Sequence, residues 1–142
     1  MLNYFYIFFG KVMIMKQVIE YIQKNYDPLC LILYGSNADG TNRLNSDFDA
    51  LVITADHEPF HDTSLVAGVP LDVFVYPAGY FEGAYACEDF VQIFDGRMIM
   101  DRHDIGKSLL ANVRAYLQNR PGKTSAEIQA NIDWCVKMSA RA

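Results

Sequence analysis

Residues 29–54 read LCLILYGSNADGTNRLNSDFDALVIT, and most of the architecture follows from this stretch. Leu29 to Tyr34 is a short, continuous apolar run, the pattern of a strand buried on both faces. Gly35 to Ser46 is polar and contains glycine, so it reads as a loop. Phe48 to Thr54 is a second apolar run and a second strand. No crossover helix fits between the two, which disfavours a doubly wound nucleotide fold.

On the N-terminal side, Met15, Val18, Ile19, Ile22 and Tyr26 recur at helical spacing and predict a helix over 13–26. Asp27-Pro28 ends it, because proline pushes the preceding residue out of the helical region. Downstream, residues 55–63 are charged and interrupted by proline, a solvated connection. Ser64 to Ala67 reads as a short edge strand, with Gly68-Val69-Pro70 as its turn. Leu71 to Tyr76 is the third clear strand. One or two helices are expected over 78–94, interrupted near Gly83. Asp95-Gly96 is a turn and Arg97 to Met100 a fourth strand. Ile105, Leu109, Leu110, Val113 and Leu117 mark a helix closed by Arg120-Pro121-Gly122. Thr124 and Glu127 then form a capping-box pattern. A last helix follows, with Ile128, Ile132, Cys135 and Val136 on one face. Strands following one another like hairpins, with helices on one face, predict an α+β architecture.

The 142 residues suit one domain, and 51% apolar content is enough for a real core. A net charge of −5 disfavours nucleic acid as the main partner, since domains that bind it are usually basic. Cys30, Cys87 and Cys135 are far apart and odd in number, which argues against a disulfide framework and against structural zinc. Reduced, buried thiols and a cytoplasmic location are expected. The aromatic run Leu2 to Phe9 is too short for a bilayer span of about 20 residues. It lacks the basic leader and cleavage site of a signal peptide, so no membrane association is expected. It reads as an extra edge strand or a sticky extension. Residues 1–12 are expected outside the functional unit, since Met13 and Met15 are natural starts.

Three features carry chemistry. A buried strand runs straight into Gly35-Ser36, where glycine permits a sharp turn and close ligand approach. The serine hydroxyl and exposed N–H groups can hold phosphate oxygens. Asp47-Phe48-Asp49-Ala50 puts two carboxylates on one face of a strand entrance and Phe48 on the other. A divalent cation gives such a pair a reason, since magnesium prefers carboxylate oxygens; two surface acids at a solvated strand end would read the same. Asp72 lies inside the hydrophobic run LDVFVY, where an isolated carboxylate is costly unless paired or metal-bound. Beside the aspartate pair it would complete a three-carboxylate cage for two metals about 3.5–4 Å apart; a salt-bridged or edge-exposed acid is the plainer alternative. His57, His61 and His103 read as surface residues. Tyr76, Tyr80, Phe81 and Tyr85 read as core or rim rather than a base-stacking platform.

Taken in series, Leu33-Tyr34-Gly35-Ser36, ten residues, Asp47-Phe48-Asp49-Ala50 and then Leu71-Asp72-Val73 resemble the signature of the DNA polymerase β-like nucleotidyltransferase superfamily. Gly40 and Ser46 extend the likeness toward its small bacterial and archaeal members. The resemblance covers about residues 15–100. It implies a mixed sheet flanked by helices and a two-metal transfer of a nucleoside monophosphate from a triphosphate, with ATP the expected donor. Magnesium, as two ions, is the implied cofactor, with manganese as a substitute. On this likeness Asp47 and Asp49 ligate both metals. Asp72 ligates the catalytic metal and helps to deprotonate the acceptor hydroxyl. Gly35 and Ser36 hold the β and γ phosphates, with Ser46 also at the nucleotide. Arg43, in the loop that follows Gly35-Ser36, reads as a contact to the triphosphate or as a solvated charge.

The expected organisation is a nucleotidyltransferase core over 13–102 and a helical extension over 103–142. That extension is short for the family, which suggests either a minimal enzyme that borrows a partner or a truncated chain. The acceptor is expected to be a hydroxyl on a protein or a small molecule. Small superfamily members include antitoxins that adenylylate helical toxins of the HEPN type. An antitoxin-like protein that neutralises such a toxin is therefore the alternative, and a helical partner or a second copy of the chain is the expected company.

Overall fold

The structure, a computed structural model, describes residues 2–35 and 47–119. Ser36, Arg43 and Ser46 and the expected helix from Thr124 onward lie outside the described residues.

A long helix, α1 (Leu2–Tyr26), opens the fold. It ends where the sequence predicts, at Asp27-Pro28, with Asp27 turned into left-handed backbone at φ 44°. The strands are β1 (Cys30–Leu33), β2 (Phe48–Thr54), β3 (Phe60–Asp62), β4 (Leu65–Val66), β5 (Val69–Pro77) and β6 (Arg97–Asp101). Two 3-10 segments, Ala78–Phe81 and Cys87–Ile93, lie between β5 and β6. The helix α2 (Ile105–Gln118) closes the described chain.

The sheet runs β3-β5-β2-β1-β6, with β4 pairing β5. It is mixed: β2 and β5 are parallel, whereas β1–β2, β1–β6 and β3–β5 are antiparallel. The hairpin-like succession expected from sequence therefore holds around β1 but not between β2 and β5. After β2 the chain crosses to the far edge, forms β3 and β4, and turns back at Ala67-Gly68, both in left-handed backbone. Val69 and Pro70, expected in that turn, already pair with β4. Strand β5 then slots between β3 and β2.

Alternation along these strands sorts the core into two layers. Leu31, Leu33, Phe48, Ala50, Val52, Leu71, Val73 and Val75 form one cluster with Val18 and Ile22 of α1. Cys30, Ile32, Tyr34, Leu51 and Ile53 form the other, with Phe90, Val91 and Ile93 of the second 3-10 segment and Leu109, Leu110, Val113 and Leu117 of α2. Helical elements thus cover both faces of the sheet, not one. This explains why β1 and β2 are apolar throughout rather than alternating. The Asp101 carboxylate, at the end of β6, accepts bonds from the Gly106 and Lys107 N–H groups at 2.8 and 2.9 Å. It occupies two of the orphan donors that any helix start exposes.

The expected solvated connection at 55–63 contains β3. This edge strand is tied to α1 by Asp62, which is 2% exposed. Asp62 accepts hydrogen bonds from Tyr26 Oη at 2.5 Å, Tyr21 Oη at 2.9 Å and the Ser64 N–H at 2.9 Å. Burial alone would raise its pKa, but the bonds from Ser64, Tyr26 and Tyr21 together outweigh it and hold the carboxyl below its ordinary value of 3.8. A depressed folded pKa contributes stability that is fully present above pH 3.8 and is lost as pH falls through the folded value. Asp62→Ala removes the acceptor shared by Tyr26, Tyr21 and the Ser64 N–H, leaving Tyr21 only Ser64 Oγ at 3.4 Å, and should cost about 2–3 kcal/mol. Urea melts of the variant and the wild type should differ by that amount at pH 7 and by less as the pH falls through the folded pKa of Asp62.

The run Leu2 to Phe9 is helical and continuous with the helix expected from residue 13, so the edge-strand alternative is not what the chain adopts. Phe9, Val12 and Met13 are exposed, and among residues 9–26, whose burial is described, the first fully buried one is Val18. A chain begun at Met13 should therefore fold and bind nucleotide as the full chain does. A drop of several degrees in melting temperature on this truncation would contradict that.

Candidate active site

Strands β2 and β5 set the centre of the site. In their parallel register Asp49 stands directly opposite Asp72. Both point to the face covered by α2, since Leu51 and Ile53 follow Asp49 at even spacing into that cluster. Each is 8% exposed, so neither carboxylate is freely hydrated. Burial, then a hydrogen bond with Asp72 and its charge, then the charge of Asp47, raise the Asp49 pKa well above the carboxylate range. Two ionised carboxylates side by side repel one another, so the fully ionised pair is unfavourable without a cation. Tyr34, just beyond the end of β1 and in the same core layer as Cys30 and Ile32, feels both acids: burial first, then the charges of Asp72 and Asp49, push its phenol far up.

Gly35 follows β1 at φ 70°, a conformation glycine adopts without steric cost. A Cβ placed there would lie 2.7 Å from Asp49 Oδ2. The turn that begins the polar loop therefore sits directly against the carboxylate, and only glycine fits. The structure brings Gly35, Asp49 and Asp72 together. Asp47 is half-buried two residues before Asp49.

His61 is the residue that sequence reading passed over. Its Nε2 lies 2.5 Å from Asp72 Oδ1, and its ring stacks on Phe74 with centroids 4.1 Å apart and planes at 4°. It is exposed, as expected of a surface histidine, yet it is bound to a site carboxylate. The available signal was the two-residue spacing of Asp72 and Phe74 on one face of β5, which needs a partner on the next strand. That strand, β3, read as loop. Tyr76, Tyr80, Phe81, Tyr85 and Phe90 make an edge-to-face aromatic cluster further along the same face, in the core-or-rim role expected.

Residues 16–69 match the family model described as Polymerase beta, Nucleotidyltransferase. Over this segment the chain is similar to the DNA polymerase β-like nucleotidyltransferases. The match spans the end of α1, both strands that flank the polar loop, and Asp49; β5 with Asp72 begins where it ends. None of the curated proteins matches the chain. Among solved structures, the chain is similar to a toxin–antitoxin crystallised with AMP-PNP, at 19% identity over 84% of this chain and 96% of that chain, with a TM-score of 0.48. It is also similar to a mutant of the toxin–antitoxin MntA–HpeT, at 19% identity over 85% and 96%, with a TM-score of 0.49. No helix among the described residues is long and apolar enough to cross a membrane.

The superfamily generally uses divalent metals, and the donor set here fits one. Asp49 Oδ1 is buried without a hydrogen-bond partner among the described residues. A buried, unsatisfied carboxylate oxygen is costly unless something charged meets it. Carboxylate oxygens are the donors that magnesium and manganese select. Among the described residues no three acidic, histidine or cysteine side chains already converge as a cage.

Proposed function

We propose that the protein is a metal-dependent nucleotidyltransferase that moves a nucleoside monophosphate, AMP from ATP, to a hydroxyl of a protein or small-molecule acceptor. The observation that carries this reading is the direct pairing of Asp49 with Asp72 across β2 and β5, with Gly35 against Asp49. Asp47, Asp49 and Asp72 would hold two magnesium ions, or manganese in their place. When bound, such ions neutralise the triphosphate and make the acceptor oxygen a better nucleophile.

The chain's own residues supply the rest. Gly35 gives the nucleotide close access to the backbone at the start of the loop, and Ser36, Arg43 and Ser46 belong with it at the phosphates. Asp49 and Asp72 present acceptor-only oxygens from two adjacent strands, which fixes their separation more tightly than a loop could. Asp72 is also the carboxylate placed to receive the acceptor's proton. The sheet shields one side of the pair from water, and in a site of low dielectric the attraction between carboxylate and cation is strengthened.

The test is incubation of the protein with labelled ATP, magnesium and cell lysate, followed by identification of the molecule that takes up the label. Labelling of one acceptor that stops when magnesium is chelated supports the reading. Absence of label on every acceptor, with ATP left intact, contradicts it.

A further inference from the structure

We propose that His61 is a positioning residue that fixes the Asp72 carboxylate for cation binding; this rests on the nucleotidyltransferase reading above. Asp72 lies between two neighbours of different character. On the β2 side stands Asp49, another acid, which repels it when both are ionised. On the β3 side stands His61, whose Nε2 meets Oδ1 at 2.5 Å. An ionised carboxylate only accepts hydrogen bonds, so His61 carries its proton on Nε2 and donates.

Two features make this contact directional rather than incidental. The imidazole lies flat on Phe74, 4.1 Å between centroids and 4° between planes, so the ring has little freedom to turn away. Phe74 is the register partner of His61 across β3 and β5, and Asp72 is two residues before Phe74 on the same face. The histidine therefore reaches diagonally along β5 and holds one carboxylate oxygen. The second oxygen is left for a cation shared with Asp49. Groups that orient a metal ligand in this way typically change affinity or activity by about 10–100-fold when removed. The stack also accounts for an exposed histidine on an edge strand, where a charged residue would blunt the edge equally well.

The test compares His61→Phe, which keeps a ring on Phe74 and loses the donor, with His61→Gln, which keeps an N–H donor near the same place. Melting temperature of the metal-free protein, manganese affinity by electron paramagnetic resonance, and kcat and KM for transfer from ATP are measured for each. His61→Phe is expected to melt within a few degrees of wild type, to bind manganese about tenfold more weakly, and to lose kcat with the nucleotide KM little changed. His61→Gln is expected to recover most of the affinity and rate. If wild-type protein binds manganese in an Asp49-dependent way and His61→Phe binds it equally well, the positioning role is overturned alone. Equal loss of affinity in both variants overturns it too. If wild-type protein binds no manganese, or binds it unchanged in Asp49→Asn, the nucleotidyltransferase reading fails and the positioning role fails with it.

Discussion

Asp49→Asn protein is expected to stay folded, to melt at or above the wild-type temperature without metal, and to lose nucleotidyl transfer by about a hundredfold or more. The two halves of this result have one cause. Asp49 is buried opposite Asp72, with one oxygen lacking a hydrogen-bond partner among the described residues, and its pKa is driven up by burial and by its acidic neighbours. Such a group destabilises the metal-free fold when it ionises. A neutral amide of the same shape removes that penalty. It also removes the charge that a cation needs, and aligning and neutralising a triphosphate is most of what such an enzyme does. Melting curves with and without magnesium and ATP, beside label transfer, check both halves. Unfolding of the metal-free variant would make Asp49 a structural partner instead. Asp72→Asn should damage transfer similarly but leave nucleotide binding less affected, because its proposed place is at the acceptor side.

Gly35→Ala is expected to lose both stability and activity, and for a local reason. At φ 70° an alanine costs about 1–2 kcal/mol in left-handed backbone. Its Cβ would also lie 2.7 Å from Asp49 Oδ2, so the carboxylate must move. A fall in melting temperature of roughly 3–8 °C should accompany a loss of metal affinity. The pair Gly35→Ala and Asp49→Ala gives a sharper check. With the carboxylate gone the steric part disappears, so the double variant should be more stable than the sum of the two single effects predicts. Additive effects would mean that the close approach has no energetic consequence.

Most of the site's frame was legible because it rests on continuous apolar runs. Phe48–Thr54 is strand from end to end, as its apolar pattern predicts, and the acid in Leu71–Tyr76 stands beside the acid in Phe48–Thr54. What sequence alone missed has a common origin in edges and faces. Strand β3 has three residues, two of them exposed, and lies in a charged stretch, so no periodicity could reveal it. Its neighbours reveal it: Asp62 is bound by tyrosines 36 and 41 residues away, and His61 by an acid 11 residues away. The distribution of helices over both faces was likewise unreadable from order, because an apolar stripe on α1 or α2 does not say which side of the sheet it meets. The parallel pairing of β2 with β5 depends on the chain crossing to the far edge first, a long-range choice that local turn signals do not encode.

Nucleotidyl transfer is distinguished from every other use of ATP by comparing ATP labelled at the α phosphate with ATP labelled at the γ phosphate, each incubated with magnesium and cell lysate. The reaction breaks the bond between the α phosphorus and its bridging oxygen. The α label is therefore expected to move to an acceptor and the γ label to leave as pyrophosphate, and neither should happen with Asp49→Asn. Labelling of the acceptor from the γ position alone, or undiminished α transfer by Asp49→Asn, would show that the paired carboxylates of β2 and β5 are not a nucleotidyl-transfer centre.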